Sequence, residues 1–131
     1  MGNPNRAVVV PEGGAKPIGP YSPGIRAGGH LFASGTTGVD PAAGGLVEGG
    51  VEAETKQALE NLKKVLEAGG TSLGSVVKTT VFMKDLGKFS AMNAVYAEYF
   101  TVDPPARSTI QVADLPGGAS VEIEAIALVE D

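Results

Sequence analysis

The sequence predicts an α+β domain in which two helices pack on one face of a single β-sheet. Three observations predict it. Residues 51–68 and 86–100 carry apolar side chains at helical spacing. The other apolar runs are short, rich in β-branched residues and separated by Gly and Pro. The resulting order, β-β-β-α-β-α-β-β, has too few helices to cover both faces of such a sheet.

Taken in order, Ala7-Val8-Val9-Val10 reads as the first strand. From Pro11 to Gly24 the chain is broken by Pro17, Pro20 and Pro23 and by repeated Gly, which makes a loop. Ile25-Arg26-Ala27 and His30-Leu31-Phe32-Ala33-Ser34 flank Gly28-Gly29, a hairpin signal. A Gly- and Pro-rich loop over 35–50 leads to the first helix, 51–68. There Ala58, Leu59, Leu62, Val65 and Leu66 follow the 3.6-residue period. Glu52 and Glu54 in its first turn and Lys63 and Lys64 toward its end suit the macrodipole. Gly69-Gly70 supplies the stop.

Residues 75–83 read as a strand, with Val76, Val77, Thr79, Thr80, Val81 and Phe82. The second helix, 86–100, takes Asp85 as its cap and gathers Phe89, Met92, Tyr96 and Phe100 on one face. Pro104-Pro105 interrupt the chain. Residues 108–112 and 120–129 are the last strands, around a turn at Pro116-Gly117-Gly118. In the final strand Val121, Ile123, Ala125, Ala127 and Val129 point one way, and Glu122, Glu124, Ile126 and Leu128 the other. Both faces carry apolar residues, so the second face is expected to meet another subunit.

Composition narrows the function. The 131 residues are 43% hydrophobic, enough for one packed domain spanning 1–131. A domain this small encloses a water-shielded pocket more easily between subunits than inside one. Cysteine is absent, which excludes disulfides, thiolate metal sites and a cysteine nucleophile. With a single histidine, a zinc site or a Ser-His-Asp triad has little to draw on. The net charge of −5 disfavours a general nucleic-acid binder. The N-terminal residues contain no apolar stretch of signal length and no segment could span a bilayer, so a cytoplasmic protein without membrane contact is expected.

Some side chains stand out as candidates, each with an ordinary alternative. Arg107 follows the stiff Pro104-Pro105-Ala106 and could present a planar fork to a carboxylate, or be a surface or ion-paired arginine. Glu122 and Glu124 could hold a water or pass a proton, or be solvated carboxylates. Tyr21, in Gly19-Pro20-Tyr21-Ser22-Pro23, could line a pocket or pack its own loop. Lys78 and Thr80 share a face, fitting a polar interface or a site. His30, the single histidine, could serve as a general base, but its place in a hairpin strand favours an ordinary half-exposed residue.

Together the motifs resemble the RidA-like (YjgF-like) reactive-intermediate deaminases. The matching pieces are Gly19-Pro20-Tyr21-Ser22, Ser34-Gly35, and the run from Val77-Lys78-Thr79-Thr80-Val81-Phe82 to Met83-Lys84-Asp85-Leu86. Asn93-Ala94-Val95-Tyr96-Ala97-Glu98-Tyr99-Phe100, Pro105-Ala106-Arg107-Ser108, Leu115-Pro116 and Val121-Glu122-Ile123-Glu124-Ala125-Ile126-Ala127 follow in order. The resemblance implies a chorismate-mutase-like fold with a mixed sheet, a homotrimer, and ligand clefts between subunits. It implies Arg107 as the anchor for a substrate carboxylate and Glu122 as the group positioning the attacking water. Tyr21, Ser34, Gly35, Ser108 and Thr109 would bind substrate, with no cofactor and no metal.

The implied activity is hydrolysis of 2-imino acids such as 2-iminopropanoate and 2-iminobutanoate to 2-keto acids and ammonia. Rival readings are a trimeric small-carboxylate-binding or regulatory protein without turnover, and a ribonuclease or translation inhibitor. The sequence departs from the familiar deaminases at Thr109, in place of a common cysteine, and at Thr36, in place of a glutamine. The segment between Phe100 and Pro105 is also shorter, and Pro104 replaces a typical aromatic.

Overall fold

The computed structural model describes residues 2–130. Its strands are β1 (Arg6–Val9), β2 (Gly24–Ala27), β3 (His30–Thr37), β4 (Val76–Met83), β5 (Ala106–Gln111) and β6 (Val121–Leu128). Its helices are α1 (Gly50–Ala68) and α2 (Phe89–Tyr99). The six strands form one mixed sheet in the order β1-β2-β3-β6-β4-β5. Every neighbouring pair is antiparallel except β4 and β5, which run parallel and are joined through α2. The expected α+β class and order of elements are both observed.

The helix-covered face follows from the apolar periods. In α1, Val51, Ala58, Leu59, Leu62, Val65 and Leu66 are buried. From α2, Met92 and Tyr96 join them. Val81, Met83, Val121, Ile123 and Ala127 meet them from β4 and β6. Each large aliphatic side chain withdrawn from water here contributes about 1.5–3 kcal/mol. The C-terminus of α1 closes as the Gly pair suggests. Thr71 N–H donates to the Leu66 carbonyl at 2.9 Å and Gly70 N–H to the Glu67 carbonyl at 3.1 Å. This arrangement needs a left-handed residue, and Gly70 has φ +84°.

Some expectations shift. α2 begins at Phe89, because 86–88 form a 3₁₀ turn whose Gly87 N–H donates to Asp85 Oδ1 at 2.8 Å. Asp85 therefore caps that turn. Lys63 and Lys64 stand before the last turn of α1, which holds no basic residue. Strand β5 begins at Ala106, earlier than residue 108, because pairing with β4 draws Arg107 into the ladder opposite Thr79.

The other face is open. Glu122 and Ile126 on β6 are half-buried there, and Glu124 and Leu128 are exposed, as the alternation predicts. Val8, Ile25, Phe32 and Ile126 lie side by side across four strands. Val8 is 58% exposed and Phe32 46%, a band of apolar surface facing solvent in the isolated chain.

Candidate functional site

The candidate residues fall into two groups. The first surrounds a cleft of about 870 Å³ where β3 runs past the end of β2. Tyr21, Ser34, Gly35 and Glu122 line it, with Glu124 and Thr36. The register between β3 and β6 shifts between Ala33 and Thr36, so Ser34 and Gly35 form an irregularity in the ladder. The Ser34 hydroxyl donates to the Ser22 carbonyl at 2.7 Å, and Ser34 N–H donates to the Pro23 carbonyl at 2.9 Å. Ser34 thus ties the proline-rich loop to the strand. That loop carries Tyr21, whose hydroxyl accepts from Ile18 N–H at 3.3 Å.

Gly35 brings the backbone against Glu122. A Cβ at this position would fall 2.6 Å from Glu122 Cδ and 2.8 Å from its Cγ. Glu122 is half-buried. Burial, and then the negative charge of Glu124, push its carboxyl above the ordinary glutamate value of 4.5. A carboxylate in that condition holds a proton more readily than an exposed one, which suits a group that takes up and returns a proton.

The second group lies on β5. Arg107 and Thr109 pair with the buried Thr79 and Val81, so they share the helix-covered face. The Arg107 guanidinium carbon sits 4.7 Å from the centroid of the Tyr96 ring and 5.5 Å from that of Phe89, both in cation–π range. Ser108 is on the open face, where its Oγ accepts from Lys78 Nζ at 3.3 Å. Lys78 also donates to the Thr79 carbonyl at 3.1 Å, with Thr80 Oγ1 at 3.5 Å, so the shared face of Lys78 and Thr80 is a polar patch.

Arg107 and Glu122 do not meet within one chain. Glu122 pairs with Phe82 and Arg107 with Thr79, on opposite faces of β4. β4 also separates their strands, a lateral gap of roughly 10 Å at the usual strand spacing. Within one chain, a small molecule in contact with Glu122 therefore stays out of reach of Arg107.

Other groups were less visible in the sequence. Glu54, read as a dipole residue, is only 6% exposed, and its Oε1 accepts from Ser120 N–H at 2.8 Å. Its position between Val51 and Ala58 on the buried stripe was the available signal. Asn61 donates to the Thr37 and Val39 carbonyls at 3.0 and 2.8 Å, holding one wall of the cleft. Thr36 turns its hydroxyl away, toward the Ala58 and Ile123 carbonyls at 2.9 and 3.1 Å. His30 stays at the hairpin, with Nδ1 3.0 Å from the Gly28 carbonyl and outside the cleft. Among the described residues, no three His, Cys, Asp or Glu side chains cluster as metal ligands would.

Residues 13–129 match the family model described as endoribonuclease L-PSP. The chain belongs to this family. L-PSP relatives include a RutC family protein of Pyrococcus horikoshii, 48% identical over 125 residues, covering 95% of this chain and 99% of that protein. The 2-iminobutanoate/2-iminopropanoate deaminase of Mus musculus is 49% identical over 111 residues, covering 85% of this chain and 82% of its own. The crystal structure of YyfA from Yersinia pestis, a protein of the Rid family, superposes with a TM-score of 0.91 at 43% identity. That comparison covers 95% of this chain and 99% of YyfA. The RidA-like resemblance of the motifs and the L-PSP family therefore coincide.

Proposed function

We propose that this L-PSP family chain, a single domain over 1–131, is a hydrolytic deaminase of small 2-imino acids. It acts as a cytoplasmic homotrimer with its sites between subunits. The observation that carries the reading is the division of the candidate residues. The guanidinium of Arg107 is held at the sheet edge by two rings, and the half-buried Glu122, which lines the cleft, extends from the opposite face of the sheet. Each is half of a site, and a neighbouring copy would supply the other half. The open apolar face offers a surface for that contact. The deaminase name of the mouse relative supports the reaction class. Among the described residues no helix is long and apolar enough to cross a membrane.

The chemistry needs little machinery. The C2 carbon of a 2-imino acid is electrophilic, more so once its nitrogen is protonated. Arg107 receives the carboxylate through two parallel hydrogen bonds and so fixes C2. Glu122 takes a proton from water as the water oxygen bonds to C2, giving a 2-amino-2-hydroxy acid. The same proton passes to the nitrogen, the C–N bond breaks, and the hydroxyl proton is lost as the keto group forms. One imine and one water become one 2-keto acid and one ammonia. The C–N bonds are exchanged for C–O bonds with no change in the oxidation state of C2, so the reaction calls for no redox cofactor. Orientation of water and substrate supplies much of the acceleration. Tyr21, Ser34, Gly35, Ser108 and Thr109 would bound the substrate.

The test generates 2-iminopropanoate or 2-iminobutanoate in situ and follows 2-keto acid release with and without the protein. Faster release is expected. Tight binding of a 2-keto acid with no acceleration would replace the enzyme reading with that of a carboxylate-binding protein. RNA cleavage by the same preparation, abolished with Arg107→Ala, would favour the family's endoribonuclease description, against which the net charge of −5 weighs.

A further inference from the structure

We infer that Phe89 and Tyr96 are positioning residues that aim the Arg107 guanidinium, acting as an aromatic clamp built from α2. The inference rests on the reading of Arg107 as the carboxylate anchor. Arginine has a long side chain with much rotamer freedom, and β5 fixes only its backbone. What fixes the head group lies on another element. Phe89 and Tyr96 are seven residues apart, two turns along α2, and both approach the guanidinium.

The lower ring is itself locked. Tyr96 is 5% exposed, and its hydroxyl shares a 2.7 Å hydrogen bond with the hydroxyl of the fully buried Thr79. Its ring also packs on Phe100, with centroids 4.6 Å apart. Thr79 is the residue opposite Arg107 in the β4–β5 ladder. The result is a closed circuit. The backbone of Arg107 is registered on Thr79, Thr79 holds Tyr96, and Tyr96 carries the head group of Arg107. Phe89 stands at the solvent side of the circuit, 37% exposed. Both rings lie within cation–π range of the guanidinium, and the Tyr96 hydroxyl also interacts with it, so the head group is restrained on the α2 side.

Phe89 is the place to test this, because truncation there leaves no sealed cavity. Phe89→Leu keeps an apolar side chain and removes one aromatic face; Phe89→Tyr restores the face. The readouts are nitrogen-15 relaxation of the Arg107 Nε–H group, assigned with Arg107→Lys, together with kcat and KM for imine hydrolysis and the melting temperature. The expected result for Phe89→Leu is a more mobile Arg107 and a KM raised about threefold to tenfold, the scale of a partly exposed cation–π contact. Melting should be nearly unchanged, and Phe89→Tyr should return both readouts to the wild-type values. An Arg107 equally mobile in wild type and Phe89→Leu, or an unchanged KM, overturns the clamp. A wild type that orders Arg107 through Phe89 yet hydrolyses no imine supports the clamp and overturns the deaminase reading instead.

Discussion

Gly35→Ala should disable the Glu122 carboxylate while leaving the fold standing. The backbone tolerates the change, since Gly35 is not among the glycines with positive φ. The added methyl carbon would come within 2.6 Å of Glu122 Cδ and 2.8 Å of Cγ, about 1 Å inside the usual 3.5–4.0 Å carbon contact. The obstructing atoms belong to a flexible side chain, so Glu122 yields by changing rotamer. An off-rotamer or displaced side chain costs about 0.5–1.5 kcal/mol, a modest fraction of the stability of a small domain. A catalytic group displaced by about 1 Å can cost on the order of a hundredfold in rate. Thermal unfolding should therefore show a small loss, and the imine assay a fall in kcat/KM of about tenfold to a hundredfold. Gly35→Ala turning over at the wild-type rate, with a normal melting curve, would refute the placement of Glu122 at the reacting atoms.

Arg107→Ala should abolish hydrolysis, and Arg107→Lys should also be poor because a point charge cannot make the paired contacts; near-normal turnover with either would overturn the anchor. Glu122→Gln should lower kcat about tenfold to a thousandfold while retaining calorimetric binding of a 2-keto acid, with Glu124→Gln much milder. Because burial raises the Glu122 carboxyl, the folded state holds its proton to higher pH than the unfolded chain does. Stability from this group is therefore full below the usual value of 4.5 and is lost as pH rises through the raised one. Glu122→Gln should accordingly melt no lower than wild type at pH 7, and the acid limb of the wild-type rate profile should be displaced upward from the ordinary glutamate value of 4.5. Light scattering at micromolar concentration should give a trimer; a monomer would remove the shared site.

The elements that announce themselves in the sequence do so by period. The stripe of Ala58, Leu59, Leu62, Val65 and Leu66 can pack only as a helix, and the alternation of β6 assigns each side chain a face. Long-range pairing left fainter traces. Pro104-Pro105 mark a break, but nothing local says that Arg107 belongs in a strand or that it shares the helix face. Both follow from its register against Thr79. The displacement of Ser34 and Gly35 from the ladder is likewise set by β6. The candidate residues were legible because their motifs resemble a family; their separation onto two faces was legible only in three dimensions.

The place of β6 between β3 and β4 governs how this chain must be built. The Thr36 hydroxyl reaches the Ile123 carbonyl across 87 residues of sequence. A chain emerging residue by residue makes the β1–β3 meander early and the β4–α2–β5 unit later, and neither has a partner for its inner edge until β6 arrives. In that interval the unpaired edges of β3 and β4 are templates for strands of other molecules. Nucleation cannot stay local, because the central seam closes only through contacts of high sequence separation. A nonsense mutation between β5 and Val121 would thus yield two half-sheets with exposed edges, a substrate for chaperones and proteases, and not a slightly shorter version of the same protein.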